Sequence, residues 1–468
     1  MMELKVGNEV AAKGEEDIES MVKAIKEEER KRQEVREAAC PPPTARSHFS
    51  LAARPHRQEI VIFGGQFYNG RTTEVKNDLY IYNMARSEWS CVASPSGPPP
   101  RSGQQAVAVA QLGGQLWMFG GEFTSGSGSQ FYHYRDLWCF HFPSLRWEKV
   151  VSPGGPGARS GHRMVQQGNR LVVFGGFHHN GRDTKYFNDV FTFDLEKRSW
   201  AKVMTLGTEP SPRSACQFFP TPDGSLVVFG GFCVEKGPEG LEKGQALEDM
   251  FLLSQDQQDD TASRWRWQPV SQRGVGRPSL RSGLASAVAG KRVFMFGGVA
   301  DEEAGEEGDV GESSFFNDMF SVTVEGDEAT WRSVRLNGGS DSGGERKRRR
   351  RDMEDGGQED HGDEEDREED GVATISETLS EDVDKATDVF LPSRRFNSGL
   401  VFQDGLLFLF GGQLERGQED ITLGGFYCLD TEKLDTWDII IEDDVEDMKG
   451  VAEEEATDKE KETEMEMD

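Results

Sequence analysis

The sequence predicts an all-β chain built as a ring of six repeated sheets, on three observations. Six apolar runs end in Phe-Gly-Gly, at Phe63–Gly65, Phe119–Gly121, Phe174–Gly176, Phe229–Gly231, Phe296–Gly298 and Phe410–Gly412. Their first glycines are 56, 55, 55, 67 and 114 residues apart, close to the roughly 50 residues of one propeller blade, with insertions in two units. Each run is also framed by the same landmarks, a leading arginine and a closing tryptophan.

Within a unit, the arginine comes first. Arg46, Arg101, Arg159, Arg213, Arg281 and Arg395 stand 16 to 19 residues before the first glycine, and a serine follows five of them, at Ser47, Ser102, Ser160, Ser214 and Ser282. Runs such as Ile60-Val61-Ile62-Phe63 and Leu171-Val172-Val173-Phe174 have the length and continuous apolarity of strands buried on both faces. The paired glycines end the run where positive φ and close packing against a neighbour leave no room for a Cβ. A tag follows, Asn77-Asp78-Leu79-Tyr80 in the first unit, with aspartates recurring at Asp136, Asp189, Asp249 and Asp318; the sixth unit has Gly425 there instead. Trp89, Trp147, Trp200, Trp267, Trp331 and Trp437 close the units, each large enough to wedge between blades.

This pattern resembles the kelch repeat, and six copies imply a six-bladed kelch β-propeller from about Arg46 to Ile441. The Gly-His and Trp-Asp dipeptides of the rival WD propeller do not recur. The runs Phe131–Trp138, Gly157–Met164 and Phe315–Asp318 are similar to the kelch domain-containing protein 4 group.

Composition places the attachments. Residues 442–468 hold 14 acidic and 3 basic residues, residues 340–389 hold 19 and 8, and residues 1–40 hold 11 and 8. Of the net charge of −31, these stretches carry −25, so the propeller itself is nearly balanced. The expected organisation is a charged N-terminal segment over 1–40, helical over 15–38; a propeller over 41–441, interrupted by a disordered insertion at 340–389; and an acidic disordered tail over 442–468. No apolar run is long enough to span a bilayer, and the N-terminus lacks a signal-peptide pattern, so a cytoplasmic or nuclear location is expected. The six cations Arg346-Lys347-Arg348-Arg349-Arg350-Arg351 resemble a nuclear-import signal, while the net charge argues against nucleic acid. The six scattered cysteines read as reduced thiols, and no zinc pattern is present.

The repetition itself carries the functional expectation. A propeller gathers equivalent positions of every blade around one axis, so Arg46, Arg101, Arg159, Arg213, Arg281 and Arg395 with Ser47, Ser102, Ser160, Ser214 and Ser282 would form a ring. In peptide-binding kelch propellers, the resemblance implies, these positions line the ligand face, and an acidic peptide or protein segment is the matching partner. The alternative for each arginine is a structural ion pair with the recurring aspartate. The expected role is a non-catalytic interaction module, adaptor or scaffold, needing no cofactor or metal. The rival is an enzyme on a galactose-oxidase-like propeller with its site in the mouth, for which no constellation of tyrosines, histidines and cysteine is found. The pair His178-His179 lacks identifiable further ligands.

Overall fold

Six mainly antiparallel sheets form a ring in the computed structural model, which describes residues 34–236, 242–255, 264–301, 313–337, 389–416 and 419–443. Each blade comes from one contiguous repeat. Blade one, for example, runs outward through Ser50–Ala53, Glu59–Phe63, Leu79–Asn83 and Glu88–Ala93. The innermost strands are Ser50–Ala53, Gln105–Val109, Arg163–Gln167, Gln217–Pro220, Ala285–Ala289 and Gly399–Gln403, and each touches the next, the last returning to the first.

Two features of the repeat hold neighbouring blades together. The N–H of the second glycine donates to the carbonyl of the next blade's arginine, from Gly65 to Arg101, Gly121 to Arg159, Gly176 to Arg213 and Gly298 to Arg395, at 2.8–2.9 Å. Each tryptophan meanwhile packs on an aromatic ring of the preceding blade. Trp147, Trp200, Trp267, Trp331 and Trp437 meet the Phe-Gly-Gly phenylalanines Phe63, Phe119, Phe174, Phe229 and Phe296, with centroids 4.9–5.8 Å apart. The ring closes on the same two devices. Gly412 N–H donates to the Arg46 carbonyl at 3.0 Å, and Trp89 packs on Phe426 at 5.4 Å. Among the described residues no strand is exchanged between the ends, blade six using residues 399–441.

The helix expected over 15–38 is corrected where it can be seen. Arg36–Ala39 is a strand, antiparallel to Glu88–Ala93 on the outer edge of blade one; the open backbone edge of that sheet offers hydrogen bonds that outweigh helical propensity. No α-helix occurs among the described residues. Residues 1–33, most of the insertion with its run Arg346–Arg351, and residues 444–468 lie outside the described residues. Blades four and five carry outer strands of a different origin. Met204–Gly207 and Ser271–Val275 follow the last strand of the preceding blade and pair in parallel with the outer strand of the next.

Candidate functional site: the axial channel

The six repeat arginines are buried, 0–5% exposed, and turned into their blades. Each guanidinium is saturated in the same way. Its Nη1 donates to the carbonyl of the first glycine of its own blade, at 2.9–3.3 Å, and its Nε donates to the carbonyl two residues upstream, at 2.9–3.2 Å. An aspartate completes it: Asp78 for Arg46 at 2.6 Å, Asp136 for Arg101 at 2.8 Å, Asp189 for Arg159 at 2.6 Å, Asp318 for Arg281 at 2.5 Å, and Asp249 for Arg213. In blade six, Asp443, arriving after the last strand, takes this place beside Arg395.

Burial works against the Asp136 charge, yet Arg101, the Trp138 indole N–H and Lys149 hold its carboxyl below the usual value. Asp443 behaves likewise, with Arg395, the Tyr427 hydroxyl, Gly425 N–H and Ser393 overcoming burial. Aromatic rings cover the arginines, Phe316 lying 3.5 Å from Arg281 and Tyr134 3.9 Å from Arg101. The arginines therefore clamp the entry of each inner strand.

What they position is a cavity of about 540 Å³ on the axis, within the size range of ligand sites. None of the six arginines lines it; residues just downstream do. Two positions after each arginine, His48, Gly103, Gly161, Ala215, Gly283 and Asn397 all line the wall with φ between +52° and +67°. This left-handed turn swings the chain into the inner strand. Its N–H groups also link blades, Gly103 to the His48 carbonyl, Gly161 to Gly103, Ala215 to Gly161 and Asn397 to Gly283, at 2.9–3.0 Å. Four positions after each arginine, Ser50, Gln105, Arg163, Gln217, Ala285 and Gly399 line the same cavity. Only one of these is charged.

That residue, Arg163, is the functional candidate that reading the repeats for shared residues misses. Its Nε donates to the Cys216 carbonyl at 2.5 Å, and no carboxylate among the described residues forms an ion pair with it. Burial opposes its charge. His48, also in the wall, is pushed down to about 4 by burial and by the Arg163 charge, and so is neutral at physiological pH. The signal was present in the sequence as a column four residues past each arginine, polar or small in five blades and cationic in one.

The serines divide. Ser160, Ser214 and Ser282 line the cavity, whereas Ser47 and Ser102 are buried behind it. Ser102 Oγ donates to Gln66 Oε1 at 2.8 Å, and Ser160 Oγ donates to Glu122 Oε2 at 2.6 Å. Five of these serines pair by backbone with the residue after the paired glycines. Of the histidine pair, His178 Nδ1 lies 3.0 Å from the Ala158 carbonyl oxygen and His179 Nδ1 lies 2.9 Å from Thr184 Oγ1; no cluster of metal-ligating side chains occurs among the described residues.

A family model described as the KLHDC2/KLHL20/DRC7 Kelch-repeats domain matches residues 50–298 and 161–348. The chain belongs to the kelch-repeat family. Among curated relatives, N-(sulfonatooxy)prop-2-enimidothioate sulfolyase of Thlaspi arvense is 26% identical over 268 residues, 56% of this chain and 72% of the relative. Host cell factor 2 of Homo sapiens is 28% identical over 275 residues, 55% of this chain but only 31% of that protein. Among solved structures, YjhT superposes with a TM-score of 0.52 over 85% of this chain and 98% of its own, at 15% identity, a likeness of fold alone.

Proposed function

We propose that this kelch propeller is a non-catalytic protein-interaction module, an adaptor or scaffold, that takes a carboxylate-bearing segment of a partner into its axial channel. The uncompensated guanidinium of Arg163 carries the reading. A cation in a partly dewatered wall gains most from a carboxylate it can bind by charge-assisted hydrogen bonds. Polar residues line the wall around it, Ser282 and Gln105 among them, whereas Ser160 Oγ is given to Glu122 and Gln217 Nε2 to the Leu284 carbonyl. The repeat arginines contribute by holding the wall in shape. Membership of a family typical of interaction modules, and the similarity to host cell factor 2, fit this assignment. The resemblance of residues 131–138 and 157–164 to the kelch domain-containing protein 4 group belongs to the same reading, as does a cytoplasmic or nuclear location.

Affinity capture from cell extract, comparing the intact chain with an Arg163→Glu variant of unchanged melting temperature, tests it. Partners lost only from the variant support the assignment, and an unchanged partner set overturns it. An enzyme working in the same channel is the second reading, favoured by the relative named as a sulfolyase; turnover of a small anionic substrate that depends on Arg163 would select it.

A further inference from the structure

The channel is not simply cationic. Glu122 lines it from the residue after the paired glycines of blade two, and Glu415 lines it from blade six. The Glu122 carboxylate is held at one oxygen only. Oε2 accepts from Ser160 Oγ at 2.6 Å and lies 3.5 Å from His133 Nδ1. The His133 Nε2 is already occupied, accepting the His179 N–H at 2.9 Å, which places the ring proton of the neutral tautomer on Nδ1, toward Glu122. Burial pushes the Glu122 carboxyl upward, opposed by the Ser160 hydrogen bond. Arg163 reaches the other way, toward Cys216 of blade four. The two opposite charges thus share one cavity without forming an ion pair with each other.

We infer that Glu122 is a specificity-determining residue, and that the segment accepted by the channel carries a cationic or N–H-donating group close to its carboxylate rather than a run of acids. The inference rests on the assignment of the channel as a carboxylate site. Its physical basis is discrimination by mismatch as well as match. The carboxylate of the ligand meets Arg163, while an ammonium or guanidinium meets the remaining oxygen of Glu122. A uniformly acidic segment satisfies Arg163 equally, but brings a second negative charge against Glu122 in a confined space. Opposite charges held apart by the protein also fix the direction in which a segment lies across the channel.

The test uses the full chain and dye-labelled capped peptides in which one glutamate and one lysine are separated by zero to three glycines. Matched peptides carry two glutamates, or one glutamate and no lysine, and binding is followed by fluorescence anisotropy at peptide concentrations up to millimolar. At one spacing, the mixed-charge peptide is expected to bind at least 10-fold more tightly than its two-glutamate counterpart. Glu122→Gln should collapse that ratio toward one, by weakening the mixed-charge peptide and strengthening its two-glutamate counterpart. Equal or tighter binding of the two-glutamate peptides, or an unchanged ratio in Glu122→Gln, overturns the role of Glu122. If no peptide binds, or if Arg163→Gln weakens none of them, the carboxylate-site assignment fails instead, and the inference with it. Melting curves and Glu122→Asp, which keeps the charge and should retain the preference, separate recognition from damage to the fold.

Discussion

Asp443 Oδ2 accepts a hydrogen bond from Arg395 Nη2 in blade six, the place that Asp78, Asp136, Asp189, Asp249 and Asp318 fill in the other blades. The sixth repeat has Gly425 at the usual aspartate position, and the N–H of that glycine donates to Asp443 Oδ1 at 2.6 Å. The carboxylate has changed its origin in the chain but not its task. Six arginines with six aspartates then read as one structural device, repeated even where the local sequence no longer supplies it.

Removing one member of such a pair leaves the other without its partner in a poorly solvated site. Arg159→Met is expected to cost about 3–5 kcal/mol, less whatever water reaches Asp189, because it also strips the Gly175 and Gly157 carbonyls of donors. Arg159→Met/Asp189→Leu should recover about 1 kcal/mol or more of that loss. Urea denaturation of the two variants measures the difference; a double variant less stable than the single one would contradict the pairing.

Gly176 shows why the paired glycines recur. With φ at +91°, a Cβ there would lie 2.7 Å from both the His162 Cβ and the Ser160 carbonyl oxygen. Gly176→Ala should therefore destabilise by about 2 kcal/mol or more, seen as a lower Tm, whereas Gly181→Ala, in open space, should cost less.

The two ends of the long insertion are tied to one loop. Asn337 N–H donates to the Leu434 carbonyl at 2.5 Å, and Phe390 N–H donates to Thr436 Oγ1 at 3.1 Å. Replacing residues 338–388 by a short Gly-Ser linker should leave the Tm within about 2 °C, since closure entropy changes only logarithmically with length. A large loss would show that the insertion contributes to folding.

Two histidines set a pH dependence. His48 and His133 are both pushed down to about 4, by burial first, then by Arg163 for His48 and by His178 and His179 for His133. Their unfolded value is near 6.5, so below pH 6.5 the unfolded chain takes up protons that the folded chain refuses. Stability should be level with respect to these groups above pH 7 and fall between pH 6.5 and 4, by at most about 3 kcal/mol for each, reduced by solvent screening. His133→Gln should flatten part of the slope in pH-resolved denaturation.

The architecture was legible because its signals repeat. Glycine pairs and tryptophans act between neighbouring blades and each arginine clamps the inner strand of its own, so every blade must state them, and the sequence does so six times. The channel was not legible in the same way. Its chemistry comes from positions that differ between blades, Arg163 among Ser50, Gln105, Gln217, Ala285 and Gly399, and a search for shared residues passes over them. Repetition marked the scaffold, and departure from repetition marked the site. The Arg36–Ala39 strand was hidden for another reason: its short charged stretch has helical propensity, and only the tertiary edge of blade one makes it extended.

Whether Arg163 rather than the repeated arginines meets the ligand is decided by selecting a random peptide display library on the intact chain, on Arg163→Gln and on Arg159→Met/Asp189→Leu. Peptides carrying Asp or Glu are expected to be enriched on the intact chain and on the folded double variant, and this enrichment to disappear on Arg163→Gln. The same acidic sequences recovered from Arg163→Gln, or their loss from a folded Arg159→Met/Asp189→Leu chain, would contradict it.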